Sequence, residues 1–524
     1  MRCFARVCFT FIPAIAAFAL SAVSMTDAVA ELPVTALERA VFTSENPSAG
    51  CVYPEAGCRA GNCNGQCDGN CGAGCDCGCS DKGCPLGLDA WLNGDSSMFS
   101  SLKDQPVGDC WNWSMGGELR YRYMDEQNRL RPPGPQRTRY DLWRFTPWIE
   151  LGNGDMKFHV QAIDASTFGE DIAITPIDEN RSDLLQYWGD FKIGEDANGG
   201  ELRVRVGRQF LIYGSQHLVS NLDWGNTLRN FEGVRLYYSN ENWNIDAFAT
   251  RPVNGATGNI FRPRSFDNPD QSRWFSGVYT TYKGIQNQTW DFYWLWLDEE
   301  EEQAAFADGD RHTLGVRWAG THPHDECGIK KGLWNWEFES GFQFGRDNSP
   351  SAGTETVRAG YLSAITGYTW TEVAMTPSIK GVFWWGSGDS DPTDGKYGTN
   401  STLFPLGHAY WGIIDNLSGQ NLLDYSLQAS IKPCEKTTLS AAGHLFDKSS
   451  SADRIYNVAG VALGPAGGPK HIGTELDLIA NYALSSNASI QSGYSWFWYG
   501  DAVDDTALSR DDAEQFYLMV TLGF

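Results

Sequence analysis

From Trp111 onward the chain repeats segments of about ten residues in which apolar and polar residues alternate one by one. Each such segment presents one apolar and one polar face, and satisfies its backbone only by pairing with neighbours of the same kind. The segments begin near Trp111, Tyr140, Asp155, Leu184, Gly200, Leu228, Asn242, Ser272, Asn287, Arg311, Leu333, Glu355, Thr376, Asn421, Lys436, Lys470, Ser486 and Ala513, eighteen in all. Links after the second, fourth, sixth, eighth and twelfth segments are short, among them Gly152-Asn153-Gly154, Asp196-Ala197-Asn198-Gly199, Ser239-Asn240-Glu241 and Lys283-Gly284-Ile285. Links after odd-numbered segments are long, the largest running from about Gly388 to Gln420. An even count with short and long links in alternation is what a transmembrane barrel produces, with periplasmic turns at one end and external loops at the other. A sandwich or propeller imposes no such alternation. The link after the tenth segment, THPHDECGIKKG, is too long for its place. The expected fold is all-β: an antiparallel transmembrane β-barrel of about eighteen strands over residues 111–524.

No apolar stretch beyond the amino terminus is long enough for a membrane-spanning helix. The mean hydropathy of -0.37 is compatible with a barrel, whose strands average lipid-facing and lumen-facing residues. In WNWSMGGELRYRY, Trp111, Trp113, Met115, Leu119 and Tyr121 alternate with Glu118, Arg120 and Arg122. In the last segment Phe516, Leu518, Val520, Leu522 and Phe524 share one face. An amphipathic final strand ending on an aromatic resembles the signal by which the barrel-assembly machinery recognises outer-membrane proteins. A formal net charge of -25 argues against nucleic acid as a partner.

Arg2 and Arg6, an apolar run and the small residues Ala28-Val29-Ala30 read as a signal peptide over residues 1–30, cut before Glu31. The expected address is the outer membrane, in contact with its lipid. Residues 31–110 hold Cys51, Cys58, Cys63, Cys67, Cys71, Cys75, Cys77, Cys79 and Cys84 in a Gly- and Asp-rich stretch with too little apolar content for a core. In an oxidising compartment these predict a disulfide-stapled periplasmic segment, with Cys110 as a tenth partner. Cys75-Asp76-Cys77-Gly78-Cys79 spaces thiolates for a metal, but no Cys-x-x-Cys pair or nearby His completes a zinc pattern, so no metal and no cofactor is expected.

Basic residues recur inside the segments: Arg120, Arg122, Arg144, Lys157, Arg203, Arg205, Arg229, Arg235 and Arg317. At mid-membrane each would cost about 2 to 4 kcal/mol facing lipid, so they are expected on the lumen side or at the rims. They either brace the wall by pairing with acids such as Glu118, Glu150, Glu201, Glu232, Glu337, Glu339, Glu475 and Asp477, or line a path for an anionic solute.

The stretch GRQFLIYGSQHLVSNLDWGNTLRNFEGVRLYY, from Gly207 to Tyr238, resembles a segment typical of alginate-export-type outer-membrane porins. Gly207, Arg208, Gln209, Asp223, Trp224, Asn226, Arg229, Phe231, Glu232, Gly233 and Arg235 stand at the matching places, and GGELRYRY from Gly116 matches as well. The resemblance extends loosely to Phe524 and does not cover the Cys-rich segment. It implies an eighteen-stranded barrel whose arginine-rich lumen passes an acidic polysaccharide, alginate or its oligomers, outward. The implied pathway includes Arg208, Asp223 and Trp224, with Glu118 and Glu232 moderating the grip and Phe231 and Trp148 near sugar rings. Ser215-Gln216-His217 departs from the Gly-Asp-x-Arg of the family, placing a largely neutral His where the family has a basic residue.

No Gly-x-Ser-x-Gly elbow or HExxH helix is present, so no enzyme is expected; His322-Pro323-His324-Asp325 reads as a solvated turn rather than a metal site. Two rival functions stay open. One is a nutrient porin of other selectivity. The other is an envelope-architecture protein whose cysteines link to cell-wall or periplasmic proteins while the barrel anchors it.

Overall fold

The computed structural model describes residues 102–130, 136–171, 174–254, 266–300, 308–326, 329–349 and 353–524. The signal-peptide reading over 1–30 and the cysteines Cys51, Cys58, Cys63, Cys67, Cys71, Cys75, Cys77, Cys79 and Cys84 lie outside the described residues. Cys110 is described and exposed.

Eighteen antiparallel strands close a barrel. They are β1 (Trp111–Gly116, continued as Glu118–Gln127), β2 (Arg137–Phe145, continued as Trp148–Gly152), β3 (Met156–Phe168), β4 (Asn180–Glu195), β5 (Glu201–Gln209) and β6 (Phe231–Ser239). Next come β7 (Trp243–Asn254), β8 (Arg273–Tyr282), β9 (Gln288–Glu299), β10 (Asp308–Glu326), β11 (Ile329–Ser349) and β12 (Gly353–Thr369). The last six are β13 (Ser378–Gly386), β14 (Leu422–Cys434), β15 (Thr437–Lys448), β16 (His471–Ser485), β17 (Ala488–Tyr499) and β18 (Ala513–Gly523). Each pairs with its sequence neighbour, and β18 returns to β1 with Gly523 opposite Glu118 and Glu514 opposite Gln127. Closure removes the unpaired edge that any open sheet would carry.

The carboxy terminus completes the seam. Phe524 exchanges backbone hydrogen bonds with Gly117, at 3.1 and 3.2 Å. A Cβ on Gly117 would come within 2.6 Å of the Phe524 ring, so the glycine makes room for it. The short turns are closed by side-chain amides and carboxylates: Asn153 accepts from Met156 N–H, Asp196 from Asn198 and Gly200 N–H, and Asn240 from Asn242 and Trp243 N–H.

Two links differ from expectation. The one after β10 is short, because β10 and β11 stay paired down to Glu326 and Ile329. His322 to Glu326 are exposed and extend past the start of β9, so no core face imposes alternation there and the sequence reads as loop. The link after β12 runs over 370–377 and is longer than its counterparts.

Register fixes facing all the way round. The outward positions carry exposed apolar residues such as Val206, Val234, Leu236, Phe292, Leu314, Phe342, Tyr425 and Leu427. The inward positions carry Arg120, Arg144, Asp190, Arg205, Tyr279, Asp291, Glu339, Trp384, Asp424 and Glu475. This is the pleat of a lipid-facing barrel with a polar interior.

The lumen is not empty at the loop end. The link between β5 and β6 (residues 210–230, loop A) and the link between β13 and β14 (residues 387–421, loop B) turn inward and pair with each other. Phe404 N–H donates to the Leu218 carbonyl at 2.8 Å, Leu406 N–H to Gln216 at 3.0 Å, and Ser220 N–H to Phe404 at 2.9 Å. Leu211, Leu218, Val219, Phe404, Trp411 and Ile414 of the loops bury against Phe231, Phe248, Phe275 and Trp384 of the wall, giving the barrel an apolar core at this end.

Candidate functional site in the barrel lumen

The ten basic residues singled out from sequence fall into four groups. The first clamps loop A. Arg120, Arg122 and Arg144 face inward and are buried, and they point at loop carbonyls rather than open water. Arg120 donates to the carbonyls of Asp223 (2.6 Å), Trp224 (3.3 Å) and Gly225 (2.5 Å), and Arg122 to that of Trp224 (2.7 Å). Arg144 donates to the Asp223 carboxylate (2.8 Å), to the carbonyls of Asp223 and Gly225 (3.0 Å each) and to Glu118 (2.5 Å). Burial pushes the Asp223 carboxyl up, but Arg144 and Arg120 outweigh it and hold the group below the usual range.

Trp224 lies under the Arg122 guanidinium (4.0 Å to the ring centroid) and stacks on His408 of loop B at 3.5 Å. Its indole N–H donates to Asp415 at 2.8 Å, and Asp415 also meets His408 at 3.0 Å. Asp415 is held below its ordinary value in spite of burial, by His408 and Arg129 and by the Trp224 hydrogen bond.

The second group braces the wall. Arg203 is engaged by Asp190 (2.7 Å), Glu201 (3.2 Å) and the carbonyls of Gly154 and Asp155. Arg317 is held by Asp291 (2.8 Å), Glu337 (2.7 Å) and Ser215 (2.8 Å). Lys157 faces inward at the turn end beside Glu150, at 3.6 Å.

The third group is misassigned by sequence. Arg208 and Glu232 stand opposite each other and share the register face of Val206, Val234 and Leu236, which is the outward one. They pair at 3.1 Å at the loop end of β5 and β6, so neither belongs to the lumen. The sequence pattern around Gly207 and Gly233 gives Arg208 and Arg235 similar settings, and only register separates their faces. Arg229 is likewise not a strand residue. It sits in loop A, where burial, then Arg273, lowers its guanidinium to about 10.

The fourth group is Arg205 and Arg235, direct register partners on the inner face of β5 and β6. Arg205 Nε donates to Asp190 at 2.9 Å and Arg235 Nε to Asp246 at 2.5 Å. Arg205 lies over Trp188 at 3.8 Å, and Tyr237 flanks both, 5.8 Å from Arg205 and 4.8 Å from Arg235. Among the described residues neither terminal nitrogen pair makes a hydrogen bond, and the side chains are 20% and 22% exposed. Each is therefore fixed by one nitrogen and one ring while its two-nitrogen fork stays available. Like charges directly opposite are unfavourable by themselves, and an anion between them would relieve that.

The positioning carboxylates Asp190 and Asp246 and the rings Trp188 and Tyr237 were not singled out from sequence. All four sit on alternating inner positions, a signal that could have found them. Of the expected ring contacts, Phe231 is fully buried against Phe275 and Phe404. Trp148 faces inward and stacks on His159, 5.7 Å away, with Lys103 above it at 4.4 Å. Glu118 is taken up by Arg144.

A closed eighteen-stranded barrel with lipid-facing apolar residues outside and a charged, loop-constricted interior defines an outer-membrane channel. The alginate export family model matches residues 112–515, and the chain belongs to that family. No curated protein sequence matches it. Among solved structures, the chain is similar to Pseudomonas aeruginosa OccK8 (OprE), with a TM-score of 0.51 and 13% identity over 79% of this chain and 98% of that one. It is similar to Acinetobacter baumannii OccAB2, with a TM-score of 0.51 and 11% identity over 79% and 98%. For the outer membrane protein OprD of Pseudomonas aeruginosa the TM-score is 0.50, with 13% identity over 81% and 97%. At such identities these likenesses speak for the fold alone.

Proposed function

We propose that this channel passes an acidic polysaccharide, alginate or its oligomers, across the outer membrane, with Arg205 and Arg235 gripping successive or shared carboxylates. The observation that carries this reading is the pair of adjacent forks, each locked at Nε and left with two donors for a planar carboxylate. A grip of that kind stays reversible because Asp190 and Asp246 already offset part of the charge, which a translocating chain requires. Family membership supports the same substrate class. Residues 1–30 as a cleaved signal and residues 31–110 as a disulfide-stapled periplasmic segment complete the proposal. The described chain enters the barrel at the turn end, which is periplasmic in such barrels.

The test is single-channel recording on reconstituted protein, comparing wild type with Arg205→Glu and Arg235→Glu. The expected result is a fall in the anion/cation permeability ratio and loss of current block by alginate oligomers. Equal ratios and equal block in all three proteins would remove the basic pathway.

A further inference from the structure

We propose that His217, Glu337 and Glu339 form a site for one divalent transition-metal ion of the zinc class, which would staple loop A to the barrel wall. Glu337 and Glu339 lie two residues apart on β11 and so point into the lumen together, and loop A brings His217 onto them. His217 Nδ1 is 2.7 Å from Glu339 Oε2 and 4.0 Å from Glu337 Oε1, and the three donor atoms lie within 4.8 Å of one another. One imidazole and two carboxylates, with a fourth place for water, suit zinc.

What distinguishes this cluster from an ordinary ion-pair network is how the wall and Ser215 of loop A orient it. Glu337 Oε2 is taken by Arg317 (2.7 Å) and Ser215 (2.5 Å), and Glu339 Oε1 by Tyr293 (2.8 Å) and Tyr361 (3.2 Å). Each carboxylate thus has one oxygen held from behind and turns the other toward His217, the arrangement by which outer partners aim metal ligands. Glu337 Oε1 is buried and has no hydrogen-bond partner, an oxygen that a cation would satisfy. His217 and Glu339 are themselves 1% and 4% exposed.

Charge points the same way. Asp291 and Glu337 contact Arg317 directly, Glu339 stands opposite Arg317 in register, and Lys380 acts on Glu337 from further off, so carboxylates outnumber the fixed cations. Placing the donors at about 2.0 to 2.2 Å from one tetrahedral ion requires Glu337 Oε1 to close on His217 and Glu339 Oε2 to draw back from it, each by less than about 1 Å. The imidazole is supplied by the Ser215-Gln216-His217 departure from the family pattern. The inference does not depend on what the channel transports.

The test is zinc stoichiometry on the full-length, detergent-solubilised protein with free thiols alkylated, measured by equilibrium dialysis. The wild type is compared with His217→Gln, Glu337→Gln and Glu339→Gln, each first checked for heat-modifiable migration as a sign of a folded barrel. Each folded variant is expected to hold one zinc ion fewer per chain, or to bind it at least tenfold more weakly. Equal stoichiometry and affinity in wild type and His217→Gln, or no zinc bound by the wild type, would overturn the proposal and leave His217 as a hydrogen-bond partner of Glu339.

Discussion

Replacing Arg144 by Met should undock loop A. The guanidinium is 1% exposed and makes three hydrogen bonds to the loop, through the Asp223 carboxylate and the carbonyls of Asp223 and Gly225. Bonds to a charged donor are worth about 1.5 to 3 kcal/mol each, and breaking a buried pair costs about 3 to 5 kcal/mol. Asp223 is partly exposed, and Arg120 keeps its own grip on the same carbonyls, so the loss chargeable to loop docking is nearer ~2 to 3 kcal/mol. With about 1.4 kcal/mol per tenfold, the undocked population rises roughly 30- to 150-fold. Cleavage by chymotrypsin near Trp224 reads that population directly when opening is fast relative to cutting. Conductance should rise in parallel, since loop A occupies the lumen. Arg203→Met is the control, because Arg203 binds Asp190, Glu201 and turn carbonyls and nothing in loop A. Cleavage within threefold of wild type for Arg144→Met, with unchanged conductance, would refute the clamp.

Two further outcomes follow from the same geometry. Gly207→Ala places a Cβ 2.2 Å from the Tyr187 carbonyl oxygen at φ +126°, so the folded, heat-modifiable fraction should fall with a loss of at least ~2 kcal/mol; an unchanged melting temperature would contradict this. Asp415 has a folded-state value below its unfolded one, so its contribution to the loop A to loop B contact is complete above about pH 4 and fades as pH falls through the lower folded value. Channel noise should therefore be flat from pH 6 to about 4 and grow below that, whereas a transition centred near pH 6 would show that a His governs the contact instead.

Much of the barrel was legible because its cause is local. A strand that borders lipid on one side and water on the other must alternate, and every one of the eighteen strands starts within a few residues of where alternation begins. The departures occur where that cause lapses. Thr321 to Glu326 run past the start of β9 while still paired with β11 and read as loop, and the link at 370–377 has no pattern that sets its length. The candidate site was legible only in part. Alternation marks Arg205 and Arg235 as inner residues but gives Arg120, Arg122 and Arg144 the same mark, and nothing local says that a loop a hundred residues away will cover them.

The sequence by itself determined strand number, facing in several strands, the alternation of most turns and loops, and the resemblance to the family, since each rests on patterns that are local in the chain. Tertiary structure decided which arginines keep a free fork, which face Arg208 and Glu232 occupy, and that His217 meets Glu337 and Glu339. Those outcomes depend on register between strands and on where two long loops come to rest, and both are set by long-range packing inside the closed wall.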